Sequence, residues 1–341
     1  MLLSQQPSPA ELVATIACPG RQAGFKSDQD SRSGEFSDTR DYELLSKIAS
    51  GGMGTVYRAF QLGSEGFKKE VALKVVLPEY SKNRRFVRLF IGEAKLVADL
   101  VHENIVQVYH LGQVDGQYFI AMEFVDGINL EEFTARHLKR GTALDPDLGA
   151  FIISRICRAL EYAHDKPDRE GNLLNIVHRD VSPRNIMINC QGVVKLTDFG
   201  IAKARRLMEQ REGTVLMGKA AYMSPEQARF EETDRRSDLF SLGVVMYELL
   251  TGKRLFFDAN FNHALRKVQS LKIPDPRTVR SGLPEGLAEI LIKALQRNLS
   301  RRFQSAGEMG HALEYYMYHD RFGPTNVTLG EYVRKLCRQD G

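Results

Sequence analysis

Residues 178–200 read HRDVSPRNIMINCQGVVKLTDFG, and this stretch decides the fold. The segments IMIN and VVKLTD have the composition of strands, and the CQG between them is a short connection bearing a glycine, so we predict an antiparallel hairpin. Because such a hairpin brings its two outer ends together, we expect Asn185 and Asp198 to lie side by side. Amide and carboxylate oxygens suit Mg²⁺, which uses few carboxylates when substrate phosphates complete its shell. The stretch therefore predicts a magnesium site at the open end of the hairpin.

The composition is that of an ordinary soluble protein of 341 residues, 43% hydrophobic and 26% charged, with a net charge of +4. This charge is too small, and the lysines and arginines are too dispersed, for nucleic acid to be the main partner. The four cysteines form no C-x-x-C pair, which is typical of reduced thiols in a cytoplasmic protein. The longest apolar run, LFSLGVVMYELL at 239–250, is shorter than the roughly twenty residues of a membrane-spanning helix, so we predict a buried helix and no membrane span.

The first part of the chain divides into an extension and a β-rich lobe. Residues 1–40 are rich in Ser, Gln, Asp and Gly and show no apolar period, so we expect disorder there. From 42 to about 124 we predict five strands and one helix, with Ser81 as the N-cap of that helix.

Helical patterns dominate from about residue 128 to residue 318. One predicted helix starts at Ser237 or Asp238 and ends at Gly252, since these are good cap residues. The tail 319–341 adds one short helix. The predicted fold class is α+β, a small β-rich lobe followed by a larger helical lobe, and a cleft between such lobes is a usual small-molecule site.

The loop IASGGMGTV, from Ile48 to Val56, has the glycines of a phosphate-binding turn. Glycines let backbone N–H groups approach a triphosphate closely, but a tight hairpin turn explains the same residues about as well. A dinucleotide-binding motif is excluded because a strand, and not a helix, follows the glycines.

Lys74 and Glu93 are predicted to form an ion pair. Lys74 lies in the strand VALKVV, where a lysine alone is usually a solvated surface residue. Glu93 borders the apolar face of a predicted helix, and an unpaired carboxylate there is costly to bury. Paired with Glu93, the Lys74 ammonium would be held where it can bind the α- and β-phosphates of a nucleotide.

These motifs occur together in the order found in protein kinases. GGMGTV, VALKV, the helix glutamate, HRDVSPRN, DFG and YMSPE form a match that covers roughly residues 42–318. A surface hairpin with polar ends would explain Asn185 or Asp198 alone, but not DFG placed just after HRD and the asparagine. The chain resembles bacterial serine/threonine kinases of the eukaryotic-like type, and IVHRDVSP resembles those of gliding, fruiting-body bacteria.

The resemblance implies a bilobal kinase fold, with a five-stranded antiparallel N-lobe at about 42–124 and a C-lobe at about 128–318. It implies ATP and Mg²⁺ as cofactors and protein hydroxyls as substrates. Asp180 would accept or orient the proton of the substrate hydroxyl, and Asn185 and Asp198 would hold the metal. The residues that would bind nucleotide are Ile48, Ala49, Ser50, Gly51, Gly52, Met53, Gly54, Thr55, Val56, Ala72, Lys74, Met122, Glu123, Val125, Asn129 and Met187.

The same resemblance assigns roles in the core. Val97, Val108, His178 and Phe199 would stack as a regulatory spine anchored by Asp238. Glu226 of the SPE triplet would pair with Arg302.

One departure from the kinase pattern concerns a catalytic charge. The lysine that usually follows the catalytic aspartate by two residues is replaced by Ser182, and the usual threonine of the later loop is replaced by Lys219 in GKAAYMSPE. Arg184 is an alternative source of the charge. We favour Lys219, because an exchange of hydroxyl and ammonium accounts for both departures, and Arg184 accounts for one. A second departure, Ala49 in place of the first loop glycine, is expected to be tolerated.

The resemblance also leads to expectations about regulation and about the activity of the protein. Arg179 can pair with a phosphate on the activation segment, where Thr214 is the expected autophosphorylation site. A dimer would serve phosphorylation between copies. The predicted function is an ATP-dependent serine/threonine protein kinase, and the alternative is a pseudokinase that acts as a nucleotide-binding scaffold, motivated by Ser182 and Ala49.

Overall fold

The computed structural model describes residues 42–51, 54–199 and 219–338. The chain divides into two compact units. The first consists of the described residues up to Lys82 together with Tyr109–Phe124, and the second of Asn83–Val108 together with the described residues from Val125 onward.

The predicted lobe bounds of about 42–124 and 128–318 stay predictions, and the segment 83–108 belongs to the second unit in this division. The physical reason is packing. Val97, Leu100 and Ile105 are buried and form part of the hydrophobic core of the second unit.

The first unit is a five-stranded sheet, as predicted. Its order is β1-β2-β3-β5-β4, and the pairs β1–β2, β2–β3 and β3–β5 are antiparallel. Alternate residues of the strands form its core, which consists of Tyr42, Ala59, Val71, Leu73, Phe119 and Ala121. The strands are β1 (Tyr42–Gly51), β2 (Gly54–Leu62), β3 (Lys68–Val76), β4 (Val108–Val114) and β5 (Gln117–Glu123), and the short helix α1 (Pro78–Ser81) follows β3.

The second unit contains the helices and a small antiparallel sheet of order β6-β7-β8. No helix among the described residues is long and apolar enough to cross a membrane. The strands of the second unit are β6 (Gly127–Asn129), β7 (Ile186–Asn189) and β8 (Val194–Leu196). Its helices are α2 (Arg84–Ala98), α3 (Leu130–Arg140), α4 (Pro146–His164), α5 (Pro225–Ala228), α6 (Arg235–Thr251), α7 (Phe261–Ser270), α8 (Pro276–Val279), α9 (Glu285–Ala294), α10 (Ala306–Tyr318) and α11 (Asn326–Arg338).

Helix α6 is the helix predicted from the apolar run, and it is buried from Ser237 to Leu250. It ends, as predicted, at Gly252, whose φ of 69° is a left-handed conformation that favours glycine. Its predicted start is wrong, because Asp234 is the N-cap and accepts a hydrogen bond from Arg236 N at 2.8 Å.

The predicted start of α2 is also wrong. Ser81 is the last residue of α1, and the side chain of Asn83 caps α2 by accepting hydrogen bonds from Arg85 N and Phe86 N, each at 3.1 Å. In both helices another cap-forming residue lies within four positions of the true cap, and local sequence does not say which one is free to turn back on the helix.

Glu226 and Arg302 form a buried ion pair, which confirms the predicted pairing. Arg302 Nη1 donates to Glu226 Oε1 at 2.8 Å and to the carbonyl oxygen of Arg236 at 2.7 Å. Ser237 Oγ donates to the same carboxylate at 2.7 Å. Burial by itself would raise the pKa of Glu226, but the hydrogen bonds and charge of Arg302 hold it below its ordinary value.

Replacing Arg302 by methionine should lower the free energy of unfolding by about 3–5 kcal/mol, because it leaves the Glu226 carboxylate buried without its cation. Urea unfolding at pH 7 measures the change. Arg301→Met is the matched control, since Arg301 is exposed, and should shift stability by no more than about 0.5 kcal/mol. Equal stability of the two variants would contradict the prediction.

Candidate active site

The hairpin predicted from residues 186–198 forms, and its outer ends carry Asn185 and Asp198. Ile186 lies opposite Leu196 in the antiparallel β7–β8 pair, and Thr197 N donates to Asn185 O at 2.9 Å. Asp198 therefore comes directly after the residue that pairs with Asn185. Its φ of 63° is left-handed, which costs a residue with a side chain roughly 1–3 kcal/mol and is typical of functional sites.

The carboxylate of Asp180 lies between an amide and an ammonium group. Asn185 Nδ2 donates to Asp180 Oδ2 at 2.8 Å and to the main-chain oxygen of Asp180 at 2.7 Å. Lys219 Nζ donates to the same Oδ2 at 3.2 Å. Because the amide nitrogen of Asn185 is used for Asp180, its carbonyl oxygen is the atom left for a hard cation, and this fits a magnesium ligand.

Arg184 takes a different partner. Its Nε donates to Glu131 Oε2 on α3 at 2.7 Å, and its side chain is 71% exposed. Of the two cations that could replace the lysine missing at Ser182, the structure thus pairs Lys219 with Asp180 and Arg184 with Glu131. The catalytic role of Lys219 stays a prediction.

The sequence reasoning missed a polar chain that ties the Lys219 segment to α6. Tyr222 OH donates to Glu248 Oε2 at 2.5 Å, and Arg254 Nε donates to Glu248 Oε1 at 3.3 Å. Burial and the neighbouring Glu248 raise the pKa of Tyr222, which keeps its proton on the hydrogen bond. The available signal was Glu248 itself, a carboxylate inside the apolar run 239–250, which requires a partner when buried.

Asp238 holds the loop that carries Asp180. Its Oδ2 accepts from His178 N at 2.8 Å and its Oδ1 from Arg179 N at 2.7 Å, while His164 Nε2 lies 2.9 Å from Oδ2. Complete burial would raise the pKa of Asp238, but the hydrogen bond and charge of His164 and the donors of the loop hold it below its ordinary value. To present these two N–H groups, Arg179 adopts a left-handed φ of 63°.

His164 was not singled out by sequence, although it is the last residue of α4 and is fully buried. The sequence did single out His178, as a spine residue, and its ring lies edge-on to that of Phe199 with centroids 4.5 Å apart. His178 Nε2 also lies 3.0 Å from the carbonyl oxygen of Thr197, the residue before Asp198. The loop that carries Asp180 and the open end of the hairpin are therefore joined through one imidazole.

The residues expected near phosphate lie on the strands of the first unit. Lys74 on β3 is opposite Val56 on β2 and Ile120 on β5, and Ala72 is opposite Met122. A Cβ at Gly54 would lie 2.4 Å from the carbonyl oxygen of Val75, so close strand packing already requires this glycine. Strand β1 ends with the loop residues Ile48, Ala49, Ser50 and Gly51, and Thr55 follows Gly54 on β2. Gly52 and Met53 lie outside the described residues.

The pairing of Lys74 with Glu93 stays a prediction. Glu93 is on α2 in the second unit, and its side chain lies outside the part of the chain that the structure describes. Glu123 is the last residue of β5, and Val125 follows in the second unit.

Two expected nucleotide-binding residues lie opposite each other on the small sheet, where Asn129 on β6 pairs with Met187 on β7. The side chain of Asn129 also caps α3, because it accepts from Glu132 N at 2.9 Å.

Arg179 Nε donates to Thr233 Oγ1 at 3.1 Å. Its expected phosphate partner, Thr214, lies outside the described residues.

The family model of the protein kinase domain matches residues 42–313. The chain belongs to the protein kinase family, and the predicted family and kinase fold are confirmed. Among solved structures it is similar to the Mycobacterium tuberculosis PknI kinase domain, with 28% identity, a TM-score of 0.60, and coverage of 80% of this chain and 94% of that chain.

Two curated relatives are similar to most of this chain. The chain is 40% identical to the tyrosine-protein kinase MasK of Myxococcus xanthus, over 86% of this chain and 45% of the relative. It is 33% identical to the serine/threonine-protein kinase PrkC of Bacillus subtilis, over 85% of this chain and 42% of the relative. The chain thus spans less than half of the length of these relatives.

Replacing Asp238 by asparagine should lower the free energy of unfolding at pH 7 by about 3 kcal/mol, because it removes the charge that the buried donors face. Since the pKa of Asp238 is depressed in the folded state, its contribution is present above the ordinary aspartate pKa of about 3.9 and is lost as the pH falls through the folded value. The difference between wild type and variant should therefore shrink below about pH 4.

Urea unfolding at several pH values measures this difference. Asp165→Asn is the control, because Asp165 is half exposed and its partner Arg235 is only partly buried, so the change should be small at every pH. If the difference in unfolding free energy between wild type and the Asp238 variant stayed the same down to pH 3, the predicted contribution of the Asp238 charge would be contradicted.

Proposed function

We propose that this protein is an ATP-dependent serine/threonine protein kinase that transfers the γ-phosphoryl group of Mg-ATP to protein hydroxyls and autophosphorylates. One observation carries the proposal: the Asp180 carboxylate is held by Asn185 and Lys219 at the open end of a hairpin that also presents Asp198. Protein kinases place a carboxylate, an amide and a second carboxylate in this way for phosphoryl transfer.

In the reaction, the oxygen of the substrate hydroxyl attacks the γ-phosphorus, the bond to the bridging oxygen breaks, and ADP leaves. Asp180 is proposed to accept the proton of the hydroxyl. Asn185, through its carbonyl oxygen, and Asp198 would hold Mg²⁺, which when bound supplies positive charge against the phosphate oxygens.

Lys219 is proposed to supply the positive charge that the family pattern takes from the loop of the catalytic aspartate. Phosphoryl transfer depends on positioning and on charge neutralisation, so the ammonium can come from any segment that delivers it to the same place. The contact of Lys219 Nζ with Asp180 Oδ2 supports this role. With a cation beside Asp180, Ser182 no longer argues for a pseudokinase.

Nucleotide binding is proposed for the residues that the kinase pattern assigns. Lys74, held by Glu93, would bind the α- and β-phosphates, and the backbone of residues 48–56 would cover the phosphates. Ala72, Met122 and Met187 would contact the adenine, with the main chain of Glu123 and Val125 as its hydrogen-bonding partners, and Asn129 would lie by the ribose.

The acceptor hydroxyl is proposed to be serine or threonine, because PrkC is named a serine/threonine-protein kinase. A relative in Clostridium perfringens that is 36% identical over 80% of this chain is named a "probable serine/threonine-protein kinase". Tyrosine is a second candidate, since MasK, at 40% identity, is named a tyrosine-protein kinase. We further propose a cytoplasmic enzyme that phosphorylates Thr214 between two copies, with Arg179 as the partner of the phosphate.

Incubation of the full chain with radiolabelled Mg-ATP should give autophosphorylation, with phosphoserine or phosphothreonine on amino-acid analysis and Thr214 among the sites found by mass spectrometry. Asp180→Asn, tested beside it with a generic basic protein as acceptor, should transfer no label. Phosphotyrosine alone would overturn the acceptor class, and nucleotide binding without transfer by the wild type would overturn the enzymatic assignment.

Lys219→Met should lower kcat by about a hundredfold, in the range seen when one preorganised stabiliser of a transition state is removed. Arg184→Met is the matched control, since Arg184 is exposed and bound to Glu131, and it should retain a kcat near that of the wild type. Steady-state rates at saturating Mg-ATP and acceptor give both values. A kcat near wild type for the Lys219 variant, or the larger loss in the Arg184 variant, would refute the assignment.

A further inference from the structure

Helix α11 lies beyond residues 42–313, which the family model covers, and it packs against the core of the second unit, to which it belongs. Its apolar stripe of Leu329, Val333 and Leu336 recurs at spacings of four and three and is buried. The helix is therefore part of the folded second unit and not a loose appendage.

The backbone of α11 directly approaches the backbone of the turn between β7 and β8. A Cβ on Gly192 would lie 2.0 Å from the carbonyl oxygen of Asn326 and 2.4 Å from Gly330 N. A Cβ on Gly330 would lie 2.7 Å from the carbonyl carbon of Gln191. Two glycines face each other where the helix crosses the turn, and a side chain at either position would push the helix away.

Polar contacts hold the helix in this position. Arg334 Nη1 donates to the carbonyl oxygen of Cys190 in the turn at 2.5 Å. Arg140 Nη2 of α3 donates to Leu336 O at 2.7 Å, which satisfies a carbonyl of the last helical turn.

At the other end of α11, Asn326 Nδ2 donates to Glu103 Oε1 at 3.3 Å. Glu103 belongs to the segment that fixes β8, because its neighbour Asn104 donates through Nδ2 to Val194 O and accepts from Leu196 N, both at 2.8 Å. Helix α11 therefore touches both the turn of the hairpin and the segment that clamps one of its strands.

The hairpin that α11 contacts is the one that carries Asn185 and Asp198 at its open end. Its strands are only four and three residues long, and a short two-stranded hairpin is marginal without outside packing. The turn lies about 13 Å from the open end, at about 3.3 Å per residue, so a tilt at the turn moves the two oxygen donors.

We propose that α11 is a positioning element of the active site, which holds the β7–β8 turn so that Asn185 and Asp198 are presented to Mg²⁺ in one fixed geometry. The inference rests on the proposed function, because it concerns the same magnesium site. It assigns to Gly192, Gly330 and Arg334 an effect on catalysis through the hairpin, although none of them belongs to the site itself.

The test compares Gly330→Ala with Gly286→Ala in the full chain. Both replace a helical glycine, but the added Cβ meets backbone at 2.7 Å in α11 and only the ring of Tyr316 at 3.8 Å in α9. At saturating ATP, the Mg²⁺ concentration for half-maximal rate should rise about tenfold in the Gly330 variant, as expected for a displaced catalytic group, and stay unchanged in the Gly286 variant. Arg334→Ala, which removes only the bond to Cys190, should shift it in the same direction by less, and Arg334→Lys should recover part of the loss.

Hydrogen exchange gives a readout that needs no activity. The amides of Asn189, Gly192 and Val193, which are bonded within the turn, should exchange faster in the Gly330 variant and at the wild-type rate in the Gly286 variant. Faster exchange together with an unchanged Mg²⁺ dependence would overturn the proposal and leave α11 a purely structural helix. An inactive wild type would overturn the proposed function instead, and unchanged exchange in the Gly330 variant would overturn the positioning role on its own.

Discussion

The buried carboxylate of Asp238 is the constraint on which the active-site loop depends. A carboxylate without partners in the centre of a helical core would be too costly to bury, and here it accepts two consecutive backbone N–H groups, from His178 and Arg179, beside the imidazole of His164. The loop can offer two neighbouring donors only by turning sharply, which it does through the left-handed conformation of Arg179. Since Asp180 is the next residue, the central helix α6 determines where its carboxylate lies.

The charge around Asp180 comes from two distant parts of the chain. Asn185 follows it by five residues, and Lys219 comes from the segment that Tyr222 ties to Glu248 on α6. Arg184 is much nearer in sequence, yet it points to Glu131, because Pro183–Asn185 is a tight 3₁₀ turn of about three residues. Neighbours in such a turn point in different directions, so the turn that aims Asn185 at Asp180 aims Arg184 away from it.

Periodicity and composition predicted the elements well and their ends less well. The five strands, the buried helix α6 and the β7–β8 hairpin follow from alternation, apolar spacing and turn residues that the local chain contains. The caps at Asn83 and Asp234 were missed, because Ser81, Ser237 and Asp238 have the same capping chemistry and lie within a few residues. The side chains of Ser237 and Asp238 form hydrogen bonds with Glu226 and with the loop that carries Asp180, and such competition appears only when distant segments meet.

The amino-acid sequence by itself determined the family and the hairpin that brings Asn185 and Asp198 together, because these depend on residue types at short spacings. Only the tertiary structure decided which cation reaches Asp180, how the buried Asp238 is satisfied, and that α11 crosses the β7–β8 turn at Gly192 and Gly330. Those outcomes depend on the approach of groups far apart along the chain, and the free energy of burying a charge or of bringing two backbones into contact is set by the whole surrounding core.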